Sequence, residues 1–201
     1  MTFSATDPTS GAGLQADVLT LASLGCYPLS VTTAVSAQDT IGVESLTAIS
    51  AELVNDQARS ILEDMEISVF KCGLLGSSEN ITAVAEIAAD YPDIPLIIDP
   101  VLASGRGDDL VNAEMMGAML ELLFPQSYLI TPNSYEARRL VIEGDENFED
   151  ISIEQCAERF KLLGCQNVLI TGTHENTKSV INTLFLESKD AIPYYWDRLP
   201  G

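Results

Sequence analysis

The sequence predicts an α/β fold in which a largely parallel sheet is covered by helices on both faces. Three observations carry this. Short runs that are apolar throughout, such as PLIIDPV and NVLITGT, read as strands buried on both sides. They alternate with longer stretches of helical periodicity, the pattern of βαβ units. Near the end, KSVINTLFLES and IPYYWDRL follow one another without a helix and predict an antiparallel edge. With 201 residues the chain suffices for one such domain, read as 1–201, and no internal repeat or low-complexity tract divides it.

The elements follow in order. TDPTSGAGLQAD, at 6–17, is a turn-rich loop running into a helix whose apolar positions are Leu14, Val18, Leu21 and Ala22, with Gly25 as its stop. YPLSVTTAVSAQ is rich in β-branched residues and predicts a single strand ending in the polar loop AQDTIG. The next helix is capped by Ser50 and places Leu53, Val54, Ala58, Ile61, Leu62 and Met65 on one face. SVFKCGLLG is a strand entering a glycine loop, SSENITAVAEIAADYP a helix closed by Pro92, and PLIIDPV a strand ending at Asp99-Pro100. Residues 111–123 predict a helix with Val111, Met115, Met119, Leu122 and Leu123 facing the core. YLITPN is a strand, SYEARRLV a short helix, and SIEQCAERFKLLG a helix opened by a capping box of Ser152 and Gln155. The acidic EGDENFED reads as a solvated loop, and NVLITGT completes the parallel run.

Composition narrows the function. Hydrophobic residues make up 46% and charged residues 20%, an ordinary globular balance. Ten basic residues against thirty acidic ones give a formal charge of −20. Nucleic acid and anionic membrane both require a basic footprint and are excluded as partners. A nucleotide is not excluded, because backbone amides and a metal can hold its phosphates. Cys26, Cys72, Cys156 and Cys165 form no CxxC pair and read as buried reduced thiols. His174 is the single histidine, which removes His-cluster zinc sites and leaves any Ser-His-Asp triad that one residue. No stretch has the length of a membrane span and no signal peptide opens the chain, so a cytoplasmic location is expected.

In open parallel sheets ligands sit beyond the carboxyl ends of the strands. Here those ends carry Gln38 and Asp39, Gly73 to Gly76, Asp99 to Val101, Thr131 to Glu136, and Gly172 to His174. In the loop at 6–17 the glycines permit close backbone approach and Asp17 follows near a helix start. A plain capped helix and a ligand contact both fit that pattern. Gln38 can give and take hydrogen bonds to a ring edge. Asp99 holds a strand-end position common beside metals in phosphoryl transfer. Asn133 and Glu136 stand three apart at a helix start, where they either share one face toward the rim or serve the helix cap.

SATDPTSGAGLQAD, GCYPLSVTTAVSAQDTIGV, KCGLLGS, LIIDPVLASGRGDDL and LITPNSYEA, taken in this order and spacing, resemble the hydroxymethylpyrimidine/phosphomethylpyrimidine kinases of thiamine biosynthesis. The resemblance spans essentially the whole chain, and GAGLQAD with AQDT is specific to the pyrimidine and pyridoxal kinase branch. It implies a ribokinase-like three-layer α/β/α sandwich, with a mostly parallel central sheet and an antiparallel edge. It further implies an ATP- and Mg²⁺-dependent kinase, a homodimer, that phosphorylates 4-amino-5-hydroxymethyl-2-methylpyrimidine and then its monophosphate. Asp17 and Gln38 match the residues that hydrogen-bond the pyrimidine. Gly11, Leu74 and Val101 match others lining that pocket, Leu74 standing where methionine is usual. Asn133 and Glu136 match a segment that places Mg²⁺ and phosphates, with Asp99 close to the same ion. Thr171 and Gly172 match the late-strand nucleotide segment.

The chain departs from that family in two places. Thr171 stands where a lysine is common. The glycine loop carrying the family's proposed general base belongs beyond Gly201, and the first strand belongs partly before Met1, so these residues are expected to belong to a longer enzyme, the alternative being a truncated, catalytically dead relative. The competing readings are a pyridoxine/pyridoxal kinase and a non-catalytic pyrimidine-binding relative.

Overall fold

The computed structural model describes residues 1–175, 177–187 and 190–198. Apolar strands far apart in sequence need partners on both sides, and the sheet supplies them. β1 (Thr2–Ser4) pairs in parallel with β2 (Ser30–Thr32) on one side and β5 (Phe70–Cys72) on the other. β6 (Leu96–Ile98), β7 (Leu129–Ile130) and β8 (Asn167–Ile170) continue the parallel run. β9 (Ser179–Phe185) and β10 (Ile192–Asp197) add the expected antiparallel edge. The order is β10-β9-β8-β7-β6-β5-β1-β2. Helices cover both faces, as the alternation predicts.

Those helices are α1 (Gly13–Ser23), α2 (Ala51–Leu62), α3 (Ser78–Asp90), α4 (Ala113–Ala118), α5 (Ser134–Val141) and α6 (Ile153–Leu162). Ser50 caps α2 and the Ser152/Gln155 capping box opens α6, both as expected. Phe3, Phe70, Leu96, Ile98 and Ile130 are almost fully buried in the sheet. Each such side chain contributes about 1.5–3 kcal/mol of burial free energy. Phe3, Phe70 and Tyr91 pack edge-to-face at 5.9 and 6.5 Å.

The structure corrects several expectations. The stretch 27–38 is two strands. Chain direction changes at Thr33, whose N–H donates to the Ser4 carbonyl and whose Oγ1 donates to the Leu74 carbonyl. Beyond it β3 (Ala34–Gln38) leaves the main sheet and pairs antiparallel with β4 (Val43–Ala48), a strand the sequence reading lacked. The resulting hairpin stands over the rim. Leu122 is 37% exposed, because α4 runs into a π turn at Met119–Leu123 that rotates it away from Met115 and Met119. Leu53 is half exposed on α2, and Cys26 is exposed while Cys72, Cys156 and Cys165 are buried. Burial pushes the Cys72 thiol up to about 12. The last residues of the two predicted edge strands, Ser188 and Leu199, lie outside the described residues. No helix is long and apolar enough to cross a membrane among the described residues.

Candidate active site

The carboxyl ends of β1, β5 and β6 open into a cleft of about 720 Å³. Its walls are the loop after β1, the β3–β4 hairpin and the loop after β6. The sequence-predicted Asp17, Gln38, Leu74, Asp99 and Val101 all line it. Gly11 lies on the exposed outer turn of the first loop, and Ala12 and Gly13 line the cleft in its neighbourhood.

That first loop is organised from within. The Asp7 carboxylate, 3% exposed, accepts the N–H groups of Thr9 and Ala12, both at 2.8 Å, and the Thr9 hydroxyl. Burial opposes the charge, but these donors hold the Asp7 carboxyl below the usual carboxylate range. Two of the loop amides are therefore taken up by the Asp7 carboxylate, and that of Gly11 by the Thr9 hydroxyl. Gly13 follows at φ +59°, with the Ala5 carbonyl only 2.5 Å from where a Cβ would stand, so no other residue fits this start of α1.

Asp17 sits one turn into α1, with partners drawn from the sheet. Its Oδ2 accepts from Thr2 Oγ1 at 2.8 Å and from Lys71 Nζ at 2.8 Å; its Oδ1 accepts from Lys71 at 3.0 Å. Lys71 Nζ is 3.9 Å from Asp99 Oδ2, so one ammonium stands between two carboxylates on the cleft floor. Gly73 makes room for it, since a Cβ there would lie 3.2 Å from Nζ and 2.7 Å from Ser4 Oγ. Burial pushes the Asp99 carboxyl up; Lys71 opposes that shift and Asp17 adds to it. Sequence reasoning did not single out Lys71. The available signal was a lysine inside SVFKCGLLG, a strand otherwise apolar on both faces.

Over the floor, the hairpin contributes Gln38, Asp39, Val43 and Leu46. Asp39 accepts the N–H groups of Ile41 and Gly42 and so closes the hairpin turn. Across from it, the Arg106 guanidinium forks onto Asp108 with two 3.0 Å bonds and lies against the Gly42 backbone.

Asn133 and Glu136 stand beyond β7, outside that lining. They form a capping box: Asn133 Oδ1 accepts from the Glu136 N–H, and Glu136 Oε2 from the Asn133 N–H, both at 2.9 Å. Glu136 Oε1 accepts from the Leu102 N–H at 3.3 Å, tying α5 to the loop after β6. Burial raises the Glu136 carboxyl, these two N–H donors oppose the shift, and the Asp99 charge adds to it. Each Glu136 oxygen has one protein partner here, which leaves acceptor capacity. Two carboxylates raised by burial, with mutual repulsion, suit a small hard cation held by few protein oxygens. Among the described residues no group of three or more His, Cys, Asp or Glu converges on one point. Thr171 pairs with Asn133 in a parallel bridge, its N–H donating to Pro132 and its carbonyl accepting from Ser134. The Gly172 N–H donates to Asn182 Oδ1 at 3.2 Å.

A sheet of this order with its cleft beyond the strand ends is the ribokinase-like α/β class. The family model described as phosphomethylpyrimidine kinase matches residues 7–201, and the chain belongs to that family. The hydroxymethylpyrimidine/phosphomethylpyrimidine kinase of Escherichia coli is 35% identical over 185 residues, covering 92% of this chain and 69% of that protein. A crystal structure of Clostridium difficile phosphomethylpyrimidine kinase superposes with a TM-score of 0.83 at 29% identity, covering 98% of this chain and 82% of the other. The pyridoxal kinase of Staphylococcus aureus in complex with ADP shares the fold at 24% identity, with a TM-score of 0.84 over all of this chain and 72% of the other. The chain spans 37%, 36% and 34% of three longer curated relatives that it also matches.

Proposed function

We propose that the protein is an ATP-dependent kinase that phosphorylates 4-amino-5-hydroxymethyl-2-methylpyrimidine and then its monophosphate, for thiamine biosynthesis. The observation that carries this reading is the single cleft in which Asp17, Gln38, Leu74, Asp99 and Val101 converge. Family membership and the names of the curated relatives support it.

In this reading Leu74 and Val101 clasp the faces of the ring. Asp17 and Gln38 meet its polar edge, Gly11 borders that pocket, and the hairpin excludes water above it. Lys71 keeps the Asp17 carboxylate oriented. Asp99 and Glu136 hold Mg²⁺, and Asn133, Glu136, Thr171 and Gly172 border the nucleotide. When bound, Mg²⁺ neutralises phosphate charge, the main electrostatic demand of phosphoryl transfer. Asn133 fixes the start of α5 and thereby the position of Glu136.

An ADP-release assay on the purified protein with the pyrimidine alcohol, its monophosphate and pyridoxal tests the proposal. Turnover of both pyrimidines above pyridoxal is expected. Turnover of pyridoxal alone would replace the substrate, and pyrimidine binding without turnover would make the protein a binding relative.

A further inference from the structure

Besides the Thr33 bonds, a side chain outside the cleft holds the feet of the hairpin that roofs it. Asn80, in the first turn of α3, is 0% exposed. Its Nδ2, with two N–H groups, lies within hydrogen-bond distance of three carbonyls, one N–H being shared: Thr33 at 3.0 Å, Ile49 at 3.1 Å and Leu75 at 2.9 Å. Thr33 immediately precedes β3, Ile49 immediately follows β4, and Leu75 adjoins the cleft wall Leu74. One amide thus ties both strands of the hairpin to the loop after β5.

Two further features make this junction specific. Gly76, at φ +85°, lies directly beneath it. A Cβ there would come within 2.9 Å of the Ala34 Cβ and 3.4 Å of the Ala48 Cβ, so the hairpin feet press on this glycine. Asn80 Oδ1 has no hydrogen-bond partner among the described residues. A buried unpaired acceptor costs free energy, so the donor half of the amide has to compensate for it.

We propose that Asn80 is a positioning residue for substrate recognition: it fixes the hairpin's angle and, through it, the place of Gln38 over the cleft floor. The inference rests on the pyrimidine reading above for the identity of the ligand. Bonding at the feet acts on the tip as on a lever. Gln38 is at the far end of β3, and a small rotation there moves its amide by the order of an ångström, enough to cost binding and rate.

Two variants test this. Asn80→Leu keeps the branched heavy-atom shape, removes the unpaired oxygen and deletes the donors; Asn80→Ser is the smaller alternative should the first misfold. Titration calorimetry measures 4-amino-5-hydroxymethyl-2-methylpyrimidine and MgADP separately, and hydrogen exchange follows the amides of 34–48 against those of the parallel strands. We expect pyrimidine affinity to fall about tenfold or more, with MgADP within about twofold. Exchange should quicken in 34–48 alone. Equal loss of both ligands with faster exchange everywhere would reduce Asn80 to an ordinary core residue and overturn the proposal. Unchanged pyrimidine affinity would also overturn it. A wild-type protein that binds MgADP but not the pyrimidine would instead refute the functional reading and remove the recognition role with it. The exchange pattern would then still report whether Asn80 anchors the hairpin.

Discussion

Asp17 and Lys71 are 54 positions apart in the chain and 2.8 Å apart in the cleft, each about a quarter exposed or less. Asp17 drew attention as an acid near a helix start, a local feature. Its cation comes from β5 across the sheet, and no local pattern announces such a partner. The same separation explains why Lys71 was passed over inside an apolar strand. Breaking a partly buried pair leaves one charge uncompensated, whereas removing both charges together is far milder. Lys71→Met alone should therefore cost about 1–3 kcal/mol of stability. The double variant Asp17→Asn with Lys71→Met should recover most of that, read by urea denaturation. A double-variant loss equal to the sum of the separate Lys71→Met and Asp17→Asn losses would show that the two charges are not coupled.

At the scale of elements, the parallel strands and their helices were legible because burial on both faces writes itself as unbroken apolar runs. The hairpin was not. Val43–Ala48 is mostly exposed, shows no two-residue alternation, and continues from residues that read as one strand with β2. Only the turn of the chain at Thr33, fixed by bonds to Ser4 and Leu74, divides the two. The start of α5 offered two readings, and the capping box realises the structural one while leaving Glu136 with spare acceptor capacity. Asn133→Ala should cost about 1 kcal/mol, much the same at every pH. Glu136 behaves differently, because burial raises its folded pKa above the ordinary 4.5. Its contribution is fully present below the unfolded value and is lost as pH rises through the higher folded one. Glutamine does not titrate, so the margin of wild type over Glu136→Gln should shrink as pH rises above the ordinary carboxylate value. Denaturation curves at several pH values measure it, and a flat margin would show that Glu136 is not shifted.

For the whole molecule, strand alternation and the rule that ligands lie past strand ends make the position of the cleft legible in the sequence. Asp17, Leu74, Asp99 and Val101 meet there because β1, β5 and β6 are neighbours in the sheet, and the hairpin adds Gln38. The placement of Asn133, Glu136, Thr171 and Gly172 along the same edge follows from β7 and β8 coming next in that order. What the pattern could not supply was the roof, since a small antiparallel hairpin outside the main sheet has no consequence for the alternation. The distribution of thiols has a use of its own. Cys26 is exposed, while Cys72 lies in β5 between β1 and β6, and Cys156 and Cys165 are buried about α6. Burial pushes the latter two thiols up to about 11, so all three interior cysteines are protected by access and by protonation alike. The protein thus carries a built-in alkylation clock. Iodoacetamide followed by mass spectrometry should show one fast adduct at Cys26, then slow adducts timed by the opening of the strands and helix that enclose the rest.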